Sequence, residues 1–234
     1  MSRVTKSALD PFGQSLLDYW NGNRSAVLMH EFKTGQRHSL PVSVFFRSPE
    51  ELYPTEQAFG HCQGRILVVG AGTGVHALVL EKQGFQVTAI DICPQAVQIM
   101  DARGVKDARH EDFFEFNQGP FDALFMLGHN IGICRTLAGL KSLFHHCREL
   151  LAPGGRLLVN SIKEADTSHS PEPGTYPGEL EFRLSHGGNT GPWMRWLHID
   201  LDSLTSHAQA NGWSVAPLVR TEEGGFLAKL TPRL

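Results

Sequence analysis

The residues that point most directly to chemistry are a glycine loop after one apolar strand and a carboxylate at the end of the next. Residues 66–69 lead into Gly-Ala-Gly-Thr-Gly at residues 70–74, and residues 87–90 lead into Asp91. Glycines let a ligand lie against bare backbone, and a following helix offers unpaired N–H groups to an anion. A carboxylate there can accept hydrogen bonds from two ribose hydroxyls. The pattern predicts a nucleoside site formed by Gly70, Ala71, Gly72 and Asp91.

The spacing of the glycines indicates which nucleoside ligand fits. The dinucleotide fingerprint is G-x-G-x-x-G, in which the third glycine permits close packing of helix on strand. Here the pattern is G-x-G-x-G, and Val75 occupies the position of that third glycine. Residues 66–81 contain no Lys or Arg to meet a pyrophosphate. A ligand with a nucleoside and one small carboxylate fits better, and S-adenosylmethionine is such a ligand.

These motifs, with two further ones, resemble the class I S-adenosylmethionine-dependent methyltransferases. Residues 121–127 resemble the fourth-strand motif of that family, and residues 150–158 resemble its turn into the fifth strand. The resemblance covers roughly residues 64–231. It implies an α/β fold, with a doubly wound, mostly parallel sheet of seven strands and a reversed C-terminal strand.

The resemblance also implies further cofactor contacts. Ile92 would pack on the adenine face, Asp112 would accept the adenine amino group, and Phe113 would cover the ring. Leu127, at the end of the fourth strand, belongs to the same cofactor-binding set. In this reading the cofactor is S-adenosylmethionine, and no metal site is predicted.

One position departs from the family pattern. The family places Asp or Glu two residues before the first glycine, and this chain has Val68. The change removes a charge-assisted contact of roughly 1.5 to 3 kcal/mol unless another group replaces it. His76, Asn130 or a polar residue of the N-terminal region is a candidate for that replacement. His76 is equally compatible with a cofactor or acceptor contact and with a local cap.

The loop after the fourth predicted strand is the expected place for catalysis. Methyl transfer from a sulfonium needs mainly alignment and exclusion of water, with a general base where the acceptor must lose a proton. His129 is therefore a candidate base, and Asn130 is a candidate to orient the acceptor or the methionine end of the cofactor. The alternative is that both residues only cap the loop and bond its backbone.

The rest of the chain fits one α/β domain preceded by a cap. Strands and helices alternate from residue 65 to residue 155, including a helix predicted over 136–151 with one buried stripe. A hairpin is predicted over 213–219 and 226–230, an added strand pair over 179–185 and 193–199, and a loop over 163–177. We expect residues 65–234 to form a Rossmann-like methyltransferase domain.

The N-terminal region is predicted to be a helix and hairpin cap over residues 1–64. A helix begins at Asp10-Pro11, and residues 26–33 and 37–40 resemble a hairpin. In enzymes of the resembled fold, such an addition commonly covers the cofactor and shapes the acceptor pocket. The alternative is a stabilising appendage on the sheet edge. Trp193, Trp196 and His198, with Tyr19 and Trp20, are candidates for an aromatic acceptor wall or for packing alone.

Composition limits the partners. The chain has 234 residues, 41% apolar content and a net charge of −3 with no run of like charge, which argues against nucleic-acid and membrane surfaces. The polar N-terminus lacks a signal-peptide pattern, so a cytoplasmic location is expected. The four cysteines are scattered, which favours reduced thiols over a zinc site or disulfides.

The favoured function is methyl transfer to an O, N or S atom of a small-molecule acceptor. A second possibility is a protein that binds S-adenosylmethionine without methylating, for which Val68 is the main support. A third is a nicotinamide-dependent oxidoreductase, which Val75 and the closing hairpin oppose. The acceptor and the oligomeric state are not readable from the sequence, although no D/N-P-P-Y motif for adenine or glutamine acceptors follows the fourth strand.

Overall fold

The fold consists of a large sheet flanked by helices and a second, smaller sheet. The computed structural model describes residues 6–48, 51, 54–163 and 175–233. Its regular elements are, in chain order, α1 (Asp10–Trp20), β1 (Val27–Phe32), β2 (Arg37–Pro41), β3 (Arg65–Val69), α2 (Val75–Lys82), β4 (Gln86–Asp91), α3 (Pro94–Arg103), β5 (Ala108–His110), β6 (Phe121–Met126), α4 (Leu140–Leu150), β7 (Leu151–Ile162), β8 (Glu179–His186), β9 (Asn189–Thr190), β10 (Met194–Leu197), α5 (Leu201–Ala210), β11 (Trp213–Arg220) and β12 (Gly225–Pro232). Short 3-10 helices lie at Val42–Phe46, Thr55–His61 and Asn130–Cys134.

The large sheet has seven strands in the order β11-β12-β7-β6-β3-β4-β5. The neighbours from β7 to β5 pair in parallel, whereas β12 runs antiparallel to both β7 and β11. After their first residue, β3 and β4 are buried throughout, as expected for parallel strands covered by helices on both faces. The predicted doubly wound sheet with a reversed C-terminal strand is confirmed.

Helix boundaries follow the predicted signals with one exception. Gly84 and Gly104 follow α2 and α3 in the left-handed conformation, where a glycine costs least. The helix predicted from residue 136 was too long, because α4 begins at Leu140. Residues 136–139 instead form a tight turn, in which the Gly139 N–H donates to the hydroxyl of Thr136 at 3.1 Å.

The small sheet combines segments that are far apart in the sequence. Its strand order is β10-β8-β1-β2, with β9 paired to β8. Both predicted strand pairs are confirmed, and they join through an antiparallel pairing in which Met29 lies opposite Ser185. The sheet therefore takes strands from both sides of residue 64, and the division at that residue stays a prediction. Most of the predicted loop over 163–177 lies outside the described residues.

The N-terminal segments lie over the carboxyl edge of the large sheet. Gly13 of α1 lies so close to Gln95 at the start of α3 that a Cβ would overlap the Gln95 side chain. The carbonyl of Phe45 accepts a hydrogen bond from the Thr73 hydroxyl in the glycine loop. Across the described part of the chain, no helix is both long and apolar enough to cross a membrane.

Candidate active site

The glycine loop after β3 presents open backbone at its centre. Gly70, Gly72 and Gly74 have φ values of +63°, +56° and +81°, which residues other than glycine rarely adopt. A Cβ built on Gly72 meets no atom within 4 Å. The loop is held to the neighbouring strand because the Ala71 N–H donates to the carbonyl of Ile90 at 3.0 Å. The loop is therefore joined to β4 and has a bare face at Gly72.

Asp91 lies beside that bare face at the end of β4. One carboxylate oxygen accepts from the Gly72 N–H at 2.8 Å, and the other accepts from the Cys93 N–H at 2.8 Å. Burial raises the pKa of Asp91, and these two N–H groups oppose the rise. Because a carboxylate oxygen has two lone pairs, each oxygen can accept a further bond from a ligand hydroxyl. Asp91 thus fixes the loop and remains able to bind a diol.

Asn130 contacts the other side of the glycine loop. Its Nδ2 donates to the carbonyls of Val69 at 3.0 Å and Gly70 at 2.7 Å. A Cβ on Gly70 would lie 2.6 Å from that nitrogen, so the close approach itself requires glycine. Val68, 3% exposed, packs in the core. The Oδ1 of Asn130 has no hydrogen-bond partner among the described residues, so it remains available as an acceptor next to the loop.

His129 precedes Asn130 in the left-handed conformation, with a φ of +63°. Its backbone N–H donates to Oδ1 of Asn160, at the carboxyl end of β7, at 3.2 Å. The centre of its ring lies 5.4 Å from the ring of His198. Burial, followed by the neighbouring His198 and Arg47, lowers the pKa of His129 to about 4. The imidazole is therefore neutral at physiological pH, but it is a weak base.

The predicted adenine-side residues follow β4 and β5. Ile92 is half-buried, and its carbonyl accepts from His110 at 3.0 Å. Asp112 Oδ1 accepts from the Phe114 N–H at 2.9 Å. Phe113 is buried in the core that includes strands β3, β4 and β6. The topology therefore places these residues at the same carboxyl edge of the sheet as Asp91.

Leu127, the last of the predicted cofactor residues, follows β6 directly. It is 3% exposed and packs in the core with Val68 and Ala71. The loops after β3, β4 and β6 therefore bring Gly70, Ala71, Gly72, Asp91, Leu127 and Asn130 to one edge, as the sequence predicted.

Of the other candidates from the sequence, His198 lies beside His129 and Trp196 lies against Gly132 in the same loop, whereas the rest have separate contacts. The His76 side chain is half-buried and bonds the Thr55 hydroxyl at 3.1 Å, which favours the local role. Tyr19 and Trp20 stack on Phe46. The ring of Trp193 instead contacts cationic side chains, those of Lys33 and Arg183. The aromatic residues thus do not form one wall.

Several residues at the site carry no local sequence signal. Arg103, at the end of α3, donates to the carbonyl and hydroxyl of Thr73 at 2.8 and 2.9 Å. Arg47 follows the 3-10 helix Val42–Phe46, and its positive charge contributes to the lowered pKa of His129. Asn160 lies in β7, and no motif in the sequence singles it out as a site residue. Each reaches the site through tertiary packing, which spacing along the chain does not reveal.

An open α/β sheet with a nucleoside-type loop at its carboxyl edge defines the class of protein, and comparison with known proteins gives the family. The family described as "Methyltransferase domain" matches residues 66–155. A solved S-adenosylmethionine-dependent methyltransferase from Bacteroides fragilis, in complex with S-adenosyl-L-homocysteine, is 31% identical, with a TM-score of 0.88. The match covers 100% of this chain and 98% of that one. The chain belongs to the S-adenosylmethionine-dependent methyltransferases.

Curated relatives match over shorter stretches. A ubiquinone biosynthesis O-methyltransferase of Xylella fastidiosa is 32% identical over 106 residues, which is 42% of this chain and 42% of that protein. The protein of the same name from Xanthomonas oryzae pv. oryzae is 29% identical over 170 residues, which is 69% of this chain and 66% of that protein. The chain thus aligns with about two fifths of the length of the first of these relatives.

Proposed function

We propose that this protein transfers a methyl group from S-adenosylmethionine to a small-molecule acceptor. The observation that carries the proposal is the bare backbone face at Gly72 with the Asp91 carboxylate bonded beside it. A Cβ at Gly72 would fill this open space, as expected where a ligand lies against the backbone. The Bacteroides fragilis relative, which holds S-adenosyl-L-homocysteine, supports the same assignment.

The residues present suit the parts of this cofactor. Asp91 would accept the two ribose hydroxyls, while Ile92, Asp112 and Phe113 would surround the adenine. Gly70 and Ala71 would lie along the methionine end, where Asn130 Oδ1 is available to an ammonium group. Asn130, which comes from a different segment, would then take the role of the acidic side chain that the family has at the position of Val68.

S-adenosylmethionine supplies an activated methyl group, whose transfer breaks a carbon–sulfur bond and leaves S-adenosylhomocysteine. The chain itself must hold the acceptor in line with that bond and exclude water. His129 is at the end of β6 and Asn160 is at the end of β7, on the side of the loop away from Asp91. We assign the acceptor to this side, with His129 in contact with it.

The names of the relatives leave the acceptor atom open. The curated relatives are O-methyltransferases of ubiquinone biosynthesis, but the first of them aligns over only 42% of its length. The Bacteroides fragilis protein is described without an acceptor. The predicted cytoplasmic location, and the prediction of no nucleic-acid or membrane partner, stay predictions.

The test combines binding with turnover. Isothermal calorimetry of the purified protein should show binding of S-adenosylhomocysteine and no binding of NAD or NADP. Mass spectrometry should then detect S-adenosylhomocysteine and a product 14 mass units heavier than its acceptor when S-adenosylmethionine is added to a metabolite extract. Binding without any methylated product would favour a non-methylating binder, and binding of NAD alone would refute the proposal.

A further inference from the structure

A group of imidazoles lies between the large sheet and the small sheet. His129 follows β6, His198 follows β10, and His30 lies on β1. The ring centres of His129 and His198 are 5.4 Å apart, and His198 also lowers the pKa of His30. His30 lies on the same strand face as the buried Leu28 and contacts the Phe182 ring at 5.4 Å. The inner face of the small sheet therefore faces the acceptor side of the site.

Two polar groups in this region have unused hydrogen-bonding capacity. Asn160 is 5% exposed, and its Oδ1 is occupied by the backbone N–H of His129. Its Nδ2 has no partner within the described ranges, and neither do the ring nitrogens of His129. Among the described residues, neither side chain has an atom that is both fully enclosed and without a partner, so these free groups keep some contact with solvent. Nδ2 is only a donor, and it requires an acceptor atom on the ligand.

The charges around these groups are positive or absent. Among described residues, the groups that act on His129 are His198 and Arg47, and both lower its pKa. Burial is the main cause of the lowered pKa of His30, and His38 and His198 add to it. No carboxylate of the described residues contributes to either effect. On the acceptor side, the described groups that act on these histidines therefore carry no negative charge, and they offer hydrogen-bond donors and one permanent cation to an anion.

Asp200, two residues after His198, and Glu179, at the start of β8, are already bonded elsewhere. Asp200 accepts from the Tyr176 hydroxyl at 2.6 Å and from the Ser203 N–H at 2.8 Å. Glu179 accepts from the Leu137 N–H at 2.8 Å. A metal would be another explanation of clustered histidines, but the described residues contain no set of three side chains placed to hold one.

Given the proposed function, on which this step rests, we infer that the acceptor is a small organic acid whose nucleophile is an oxygen anion, a carboxylate or an acidic hydroxyl in its ionised form. Asn160 Nδ2 and the His129 imidazole donate to that anion, and Arg47 contributes positive charge. A lone pair of the oxygen forms the bond to the methyl carbon while the carbon–sulfur bond breaks. The oxygen anion and the sulfonium neutralise each other, so no proton needs to move.

Equilibrium binding to the protein saturated with S-adenosylhomocysteine tests this inference. Benzoate and benzylammonium are probes of similar size and opposite charge, and calorimetry at pH 7 measures both. We expect benzoate to bind at least 10-fold more tightly than benzylammonium. Asn160→Asp keeps the acceptor for the His129 N–H and replaces the free donor with a negative charge, so it should weaken benzoate binding at least 10-fold. Arg47→Gln should weaken it about 3-fold or more.

Matched variants separate local effects from general ones. Asn189→Asp, at an exposed position on β9, and Arg220→Gln, at an exposed position on β11, should leave benzoate binding within 2-fold. Equal or tighter binding of benzylammonium, no measurable binding of benzoate, or an unchanged affinity in Asn160→Asp would overturn the inference. A protein that fails to bind S-adenosylhomocysteine at all would instead refute the proposed function.

Discussion

The two halves of the site are built in different ways. The cofactor half uses loops that follow β3, β4 and β6, and its main contacts join Gly72 to Asp91 and Asn130 to Gly70. The proposed acceptor half joins His30, Arg47, His129, Asn160 and His198, which come from both sheets and from the segment after the Val42–Phe46 helix. The residues of the first half lie in loops at the ends of neighbouring parallel strands, a position that the fold itself determines. The meeting of the residues of the second half depends on the pairing of β1 with β8.

The largest effect is expected from Gly72→Val, which attacks the cofactor half alone. A branched side chain would occupy the open face, and a φ of +56° costs such a residue about 1 to 3 kcal/mol in addition. We expect S-adenosylhomocysteine affinity to fall more than 100-fold by calorimetry. Gly84→Val is the matched control, because Gly84 also has positive φ and open surroundings. A folded Gly72→Val protein with unchanged affinity would remove the glycine loop from the site.

Asp91→Ala is expected to weaken cofactor binding by about 1.5 to 3 kcal/mol, the range for hydrogen bonds to a charged group. The Gly72 and Cys93 N–H groups lose their acceptor as well, so the thermal midpoint of the unliganded protein should also fall.

The pH dependence of binding gives a second test of Asp91. Because burial raises its pKa, protonation begins at a higher pH than for an exposed aspartate. Affinity for S-adenosylhomocysteine should be full above that pKa and should decrease as the pH falls through it. An affinity that does not decrease as the pH is lowered, while the protein stays folded, would contradict the role of the carboxylate.

Asn130→Leu should reduce S-adenosylhomocysteine affinity about 10-fold. The variant removes two hydrogen bonds to the glycine loop, each contributing about 0.5 to 1.5 kcal/mol, and also the free Oδ1. Asn211→Leu, which loses a comparable amide bond to His207 in α5, controls for general destabilisation. If both variants bind equally well, Asn130 has no role at the methionine end.

The meeting of these residues at one edge of the sheet was the part of the candidate site that the sequence could predict. Strand, glycine loop and terminal carboxylate lie within a short stretch, so local pattern and fold geometry together place Gly72 beside Asp91. The roles of Arg103 and Asn160 could not be predicted, because each is set by a partner distant in sequence. The start of α4 was misplaced for a local reason: a Thr136 hydroxyl that bonds the Gly139 N–H competes with helical pairing.

His129→Gln is expected to have the smallest effect, and it tests the acceptor half. The lowered pKa of His129, about 4, makes the imidazole a poor base but leaves it able to donate a hydrogen bond. Glutamine keeps a donor, so turnover with an ionised acceptor should fall less than 10-fold. The loss of a true general base typically lowers the rate 100-fold or more.

The pH profile of the unmodified enzyme separates the same two roles. His129 stays neutral from pH 8 to about 5 and gains a proton only as the pH falls through about 4. No histidine-type step near pH 6.5 should appear in its turnover. Such a step, together with a 100-fold loss in His129→Gln, would establish the imidazole as a base.

A crystal structure with S-adenosylhomocysteine bound is the most direct test of the two-half account. The account predicts ribose hydroxyls within hydrogen-bonding distance of Asp91, the ligand backbone against Gly72, and the sulfur turned toward His129 and Asn160. A ligand whose ribose lies away from Asp91, or whose sulfur faces the α2 side of the loop, would contradict it.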